Sequence, residues 1–281
     1  MNVKTVSYKN PNAAREFTNS LRETGFAVIT DHILPGELID NVIKEWATFF
    51  GSEEKFKYTF DPARQSGYFP FKSENAKGYS QKDLKEFYHY YPWGELPATA
   101  QTHTMEMYRI LNAMASKLLG WIDESTPTDV RSKFSMPLPQ MIEGSQEILL
   151  RTIHYPPLTG TEEEGAVRAA AHEDINLITL LPSASAPGLQ ALDLAGRWHD
   201  VPCDPGMIVV NSGDMLKEAS GGYYPSTTHR VVNPTGPAAK QPRFSMPLFL
   251  HPRKEVRLSE RHTAGSYLTE RLREIGLKPK A

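Results

Sequence analysis

The 281-residue chain has one cysteine, Cys203. A single thiol excludes an internal disulfide and any zinc cluster built on thiolates, and leaves Cys203 as a small apolar side chain between Pro202 and Asp204. Neither charge is in surplus: 31 Lys and Arg stand against 33 Asp and Glu, a net charge of −2. That balance offers no basic footprint for nucleic acid. No apolar run approaches the ~20 residues that span a bilayer, and the first 25 residues lack the apolar stretch of a secretory signal. Internal repeats and low-complexity tracts are missing as well. These absences predict a cytoplasmic protein with neither nucleic acid nor membrane as partner. Hydrophobic residues at 40% and charged residues at 23% suffice for a core, and the length suits one large domain or two ordinary ones.

The first half reads as helical. Asn10-Pro11 predicts an N-cap and a first helical residue, with Ala13, Ala14, Phe17 and Leu21 on one face until Gly25 closes the helix. The short apolar run 26–29 predicts a buried strand. A second helix is expected from near Pro35 to Gly51, burying Leu38, Ile39, Val42, Ile43, Trp46, Phe49 and Phe50. A third, from about 98 to 122, carries Met107, Ile110, Leu111, Met114 and Leu118 at helical spacing, a core stripe. Between them, residues 58–93 crowd eleven aromatic side chains, from Tyr58 to Trp93. After Ser145 the pattern changes to short strand-like runs between turn signals, at 148–155, 177–181, 189–192, 207–210, 229–232 and 244–250. Eight prolines from Pro202 to Pro252 suit turns and strand edges. The expected architecture is mainly β with flanking α, a sandwich or jelly roll. The tail RLREIGLKPKA reads as a helix against its own domain or a neighbour, so the oligomeric state stays open.

Chemistry concentrates in two segments, AAAHEDINLITLLP and STTHRVVNP. Side chains two apart on a strand share a face, so His172 and Asp174 can meet one ion while Glu173 points away. His229 follows 55 residues after Asp174 (229 − 174), far enough for the chain to cross a barrel and return. Two imidazoles and a carboxylate on one side of an ion suit non-heme Fe(II) with open positions. The same set also suits catalytic zinc in a hydrolase, or a binding module that has lost its catalysis. In QPRFSMPLF, Arg243 and Ser245 share a strand face and bring a planar guanidinium fork and a hydroxyl to an anion. A carboxylate-bearing co-substrate is thus expected, and the lack of a general base beside the ligands counts against the hydrolase. For an acidic substrate, Arg64, Lys72 and Lys77 are the candidate contacts. On 87–91, only one of two sets, Tyr88 with Tyr90 or Phe87 with His89 and Tyr91, can line a pocket.

Several segments resemble the isopenicillin N synthase-like family of iron(II)/2-oxoglutarate-dependent oxygenases, in order and over nearly the whole chain. They are GFAVITDHI at 25–33, FFGSEEKFK at 49–57, DLKEFYHYYP at 83–92, HYPP at 154–157, HEDINLITLL at 172–181, GLQ at 188–190, GRWHDVP at 196–202, VNSGDML at 210–216 and THRVVNP at 228–234. The resemblance implies a distorted double-stranded β-helix (jelly roll) with N-terminal helices, forming a single oxygenase domain over 1–281. Within it, 1–125 is the helical, substrate-shaping part and 145–255 the jelly-roll core with the metal site. It implies iron(II) held by the catalytic residues His172, Asp174 and His229, with Tyr155, Arg243 and Ser245 on the distal carboxylate of 2-oxoglutarate. O2 and a small-molecule substrate complete the set, and ascorbate is a possible additive. Decarboxylation of 2-oxoglutarate to succinate would drive hydroxylation, desaturation or ring closure. A related oxidase or ethylene-forming type, using 2-oxoglutarate differently or not at all, is the alternative. Two departures stand out: Ile153 replaces an asparagine common in relatives, and Arg243 comes 14 residues after His229 (243 − 229), which predicts a lengthened turn.

Overall fold

The computed structural model describes residues 1–74, 81–183 and 185–274. The N-terminal part runs β1 (Thr5–Ser7), α1 (Ala13–Thr24), β2 (Phe26–Thr30), α2 (Gly36–Phe50), β3 (Gly67–Phe69), β4 (Glu86–Tyr90) and the long α3 (Gln101–Ser125). Two short helices, α4 (Thr128–Arg131) and α5 (Leu138–Ile142), lead to β5 (Leu149–Tyr155). Then follow β6 (Ala169–His172), β7 (Ile178–Pro182), β8 (Leu189–Leu192), β9 (Trp198–Asp200), β10 (Ile208–Ser212), α6 (Asp214–Ala219) and β11 (His229–Val231). The last elements are β12 (Arg243–Ser245), β13 (Leu248–Leu250) and α7 (Ala264–Glu274).

These strands form the two sheets of a jelly roll. The larger has the order β1-β2-β10-β7-β13-β5-β4-β3 with β12 also on β5, and the smaller has β6-β11-β8-β9. The larger sheet buries its outer face under the helices. The apolar stripe of α3 (Met107, Leu111, Met114, Leu118) is fully buried, and Trp46, Phe49 and Phe50 of α2 share that core with Tyr68 and Tyr88. The N-terminal part is not purely helical, since β1 to β4 supply four strands of the larger sheet. β1, β3 and β9, of three residues each, lie outside the strand-like runs expected from the sequence.

Two expected boundaries shift. Asn10 does not cap α1; its Oδ1 accepts the Asn12 N–H at 2.9 Å, forming a tight turn that delays the helix to Ala13. The run 244–250 splits into β12 and β13, because Pro247 has no N–H for a ladder, although its carbonyl still accepts from the Arg151 N–H at 3.0 Å. Among the described residues no helix is long and apolar enough to cross a membrane. Cys203 packs beside the Phe26, Val28 and Val209 cluster. The tail beyond Glu274, like Lys77 and Tyr79, lies outside the described residues; Tyr267 and Leu268 of α7 pack on the main core.

Gly25 ends α1 at φ 74°, a left-handed conformation that favours glycine. A Cβ there would lie 2.2 Å from Thr227 Oγ1, and the Thr227 carbonyl accepts from His229 Nδ1 at 3.1 Å. Gly25→Ala should therefore cost about 1–3 kcal/mol of stability, read as a lower denaturant midpoint. An unchanged midpoint would show that Thr227 moves aside freely.

Candidate active site

His172 and His229 are directly opposed in the register of β6 and β11, and their ring centroids are 4.5 Å apart. Each ring is oriented by its own neighbourhood. His172 Nδ1 lies 2.8 Å from the Ala170 carbonyl and His229 Nδ1 3.1 Å from that of Thr227. A carbonyl can only accept, so both Nδ1 atoms carry the proton and both Nε2 lone pairs are left for a metal. Asp174 completes the group differently from the expectation. β6 ends at His172, so Asp174 comes from the following loop rather than from the same strand. That loop is fixed because the Asp214 N–H donates to the Asp174 carbonyl at 2.8 Å. Asp174 Oδ1 is 3.9 Å from His172 Nε2 and 3.7 Å from His229 Nε2. Glu173 points outward and accepts from Thr228 Oγ1 at 3.0 Å.

Among the described residues these three alone form a cluster able to hold a metal, with one ligand atom from each within 4.8 Å of the others. Burial, and next the nearby His229, depress the His172 imidazole to about 4, so above that pH it is neutral, as a ligand must be. Burial alone would raise the Asp174 carboxyl, but the two histidines and two hydrogen bonds outweigh it and hold the group below its ordinary value. Those bonds come from Thr179 Oγ1 at 2.5 Å and Asn211 Nδ2 at 2.8 Å, both to Oδ2. They leave Oδ1 facing the histidines. Asn211→Ala or Thr179→Val should weaken metal binding by roughly 10–100-fold with the fold retained, measured by competition with a chelator. Affinity equal to wild type would remove these residues from the account.

Across the same cavity β12 pairs with β5, setting Arg243 opposite Tyr155 and Ser245 opposite Ile153. All four therefore share one face, and all four line the cavity with the triad. The long turn before β12 contains the 3-10 helix Gly236–Lys240, as the 14-residue spacing predicted. Arg243 is 1% exposed. Its Nε donates to the Ala186 carbonyl at 2.9 Å, while its Nη1 has no partner. Burying a guanidinium without a counter-ion costs several kcal/mol, so an anion from outside fits this position. The residues present thus suit both a ferrous ion and a dicarboxylic 2-oxo acid.

The aromatic stretch divides. Tyr88 packs on Trp46 and Phe49, and Tyr90 on Tyr108, so that set faces the helices. Phe87 and His89 face the cavity side, beneath Arg151: the guanidinium lies 4.6 Å from the Phe87 centroid and its Nε donates to His89 Nε2 at 2.8 Å. His154 points the opposite way, stacked on Phe244 and 2.7 Å from Glu86. Of the basic residues expected near substrate, Arg64 and Lys72 do not line this cavity, and Lys77 lies outside the described residues. Arg64 covers Trp93 and Lys72 pairs with Glu163. Lys85 and Arg151 line the cavity instead, and both contact Glu74 Oε2, at 2.9 and 3.2 Å. Their signal in the sequence was parity: Lys85 alternates with Phe87 and His89, and Arg151 with Ile153 and Tyr155.

Two family models match this chain: the 2OG-Fe(II) oxygenase superfamily over residues 146–252, and the N-terminal region of a non-haem dioxygenase in morphine synthesis over residues 5–110. A 2-oxoglutarate-Fe(II) type oxidoreductase of Emericella nidulans, hxnY, is 30% identical over 263 residues, covering 84% of this chain and 72% of the relative. The chain belongs to the 2OG-Fe(II) oxygenase superfamily. Two crystal structures resemble this oxygenase along almost its full length. A Shewanella oneidensis protein assigned as an oxygenase has 50% identity and a TM-score of 0.90, covering 99% of this chain and 100% of its own. A Caulobacter crescentus protein assigned to the 2OG-Fe(II) oxygenase family has 31% identity and a TM-score of 0.81, covering 97% and 99%. The cofactors of the 2OG-Fe(II) oxygenase are accordingly ferrous iron and 2-oxoglutarate, and its substrate is a small molecule. Membership sets aside the zinc hydrolase.

Proposed function

We propose that this oxygenase holds ferrous iron through His172, Asp174 and His229, and the far carboxylate of 2-oxoglutarate through Arg243, Ser245 and Tyr155. The observation that carries this reading is the unpartnered, buried Nη1 of Arg243 in the same cavity as the converging Nε2 and Oδ1 atoms. With O2 as the oxidant, bound iron and 2-oxoglutarate would supply the chemistry: the 2-oxo acid is oxidised to succinate and CO2, taking up one oxygen atom and leaving the other for oxidation of the substrate. The protein orients and excludes. Thr179 and Asn211 fix the Asp174 carboxylate, two backbone carbonyls fix the imidazoles, and Leu181, Leu189, Val231 and Phe249 keep the remaining wall apolar. No proton carrier is required of Asp174.

The substrate in this reading is a small acid. Lys85 and Arg151 join Arg243 in the cavity wall, and among the described lining residues Asp174 is the only carboxylate. With that group committed to iron, a cationic substrate would meet no carboxylate in the described wall, whereas an acid would meet Lys85 and Arg151, which share Glu74 as counter-ion, Lys85 also pairing with Asp83. The test is succinate formation with matched pairs, each an acid and its amide. Acids should raise the rate above the substrate-free background more than amides do; a clear preference for amines would contradict the assignment. Residues 1–281 act as one domain, 1–125 shaping the substrate side and 145–255 carrying the metal and co-substrate. Strands β1 to β4 in the larger sheet support that unity. The proposed setting is cytoplasmic, with ascorbate as a reductant that keeps the iron ferrous and without nucleic acid or membrane as partners; the balanced charge supports the absence of a nucleic-acid partner.

A further inference from the structure

Arg168 stands just before β6 and is 1% exposed. Its Nη2 donates to the Gln241 carbonyl at 3.1 Å, its backbone N–H donates to Asn233 Oδ1 at 2.9 Å, and its Nε is buried without a partner. Arg168 and Arg243 both lie over the Tyr155 ring, their guanidinium carbons 5.8 Å and 5.0 Å from its centroid. Among the described residues no carboxylate pairs with either arginine. Two buried cations, Arg243 in the cavity wall and Arg168 outside that wall, are therefore gathered about one ring with no carboxylate partner among the described residues, an arrangement that burial and mutual repulsion both oppose. Burial, and then the charge of Arg243, pull the Arg168 guanidinium below its ordinary pKa.

We infer that Arg168 is a second cation of the co-substrate's anion site, a positioning residue that acts on the far carboxylate of 2-oxoglutarate from behind Arg243 and Tyr155. Its role has two parts. Its charge adds to that of Arg243 on the far carboxylate, where little solvent intervenes to screen it. Its bond to Gln241 anchors the long turn two residues ahead of Arg243, so the guanidinium fork is held at the right depth. Together they favour a 2-oxo acid with a second negative charge over one without it.

This inference rests on the proposed co-substrate site, and the test separates the two. Binding of 2-oxoglutarate and of 2-oxopentanoate, which lacks the far carboxylate, is measured calorimetrically on iron-loaded protein under argon. Arg168→Gln keeps a donor toward the Gln241 carbonyl but removes the charge. It should weaken 2-oxoglutarate about tenfold and leave 2-oxopentanoate within about twofold of wild type. Arg168→Lys, which restores the charge in similar volume, should recover 2-oxoglutarate to within about threefold of wild type. Equal losses for both acids, no loss for either, or a lysine variant as weak as the glutamine one would each overturn the role given to Arg168. If Arg243→Met leaves 2-oxoglutarate binding unchanged, the underlying site itself fails, whatever Arg168 does.

Discussion

Alanine in place of His172 or of His229 is expected to strip iron from the protein and end turnover. The two rings oppose each other across β6 and β11, and each lends one Nε2 to a three-atom set. Removing either leaves two donors, and the described lining residues include no further imidazole or carboxylate to replace it. Loss of a ligand should exceed the ~10–100-fold in metal affinity typical of groups that only support ligands. Metal content after desalting, measured beside Asn211→Ala, tests this ordering. The folded state should survive, since His172 is partly open to the cavity and Phe26, on which the His229 ring packs edge-to-face at 5.6 Å, stays within its own apolar cluster. An alanine variant retaining one iron per chain would remove that histidine from the ligand set.

Arg243→Lys is expected to give the second-largest effect, on 2-oxoglutarate rather than on iron. The guanidinium is held by the Ala186 carbonyl through Nε, so Nη1 is presented at a fixed angle. Lysine keeps the charge but offers a single swinging ammonium, and loses one charged hydrogen bond worth about 1.5–3 kcal/mol. At about 1.4 kcal/mol per decade, the KM for 2-oxoglutarate should rise roughly 10–100-fold. Iron affinity should stay within about twofold of wild type, because Arg243 is not among the metal donors. A KM unchanged by Arg243→Lys, or one that moves only with iron content, would contradict the assignment.

The parts of this site that could be read from the sequence are those where residue type and parity coincide. His172, Asp174 and His229 are rare donor types at meaningful spacing, and Arg243-Phe244-Ser245 declares its face by alternation. The backbone at Asp174 reads locally as strand, yet β6 ends at His172 and the loop is fixed by a contact with Asp214, 40 residues onward (214 − 174), which leaves no local turn signal. Lys85, Arg151 and Arg168 were hidden for a related reason. A charged side chain reads as solvated until its partners are known, and those of Arg151 are 62 and 77 residues away, at His89 and Glu74. Helices were easier: the Met107, Leu111, Met114 and Leu118 stripe states its burial locally.

The most direct measurement is an anaerobic titration of the purified protein with Fe(II) and then 2-oxoglutarate, followed by the visible absorption of the iron-oxoacid chelate. The account predicts one band that saturates at one iron and one 2-oxoglutarate per chain, vanishes in His229→Ala, and needs more 2-oxoglutarate in Arg243→Lys. A band of undiminished strength in His229→Ala, or none in the wild-type protein with iron bound, would contradict it.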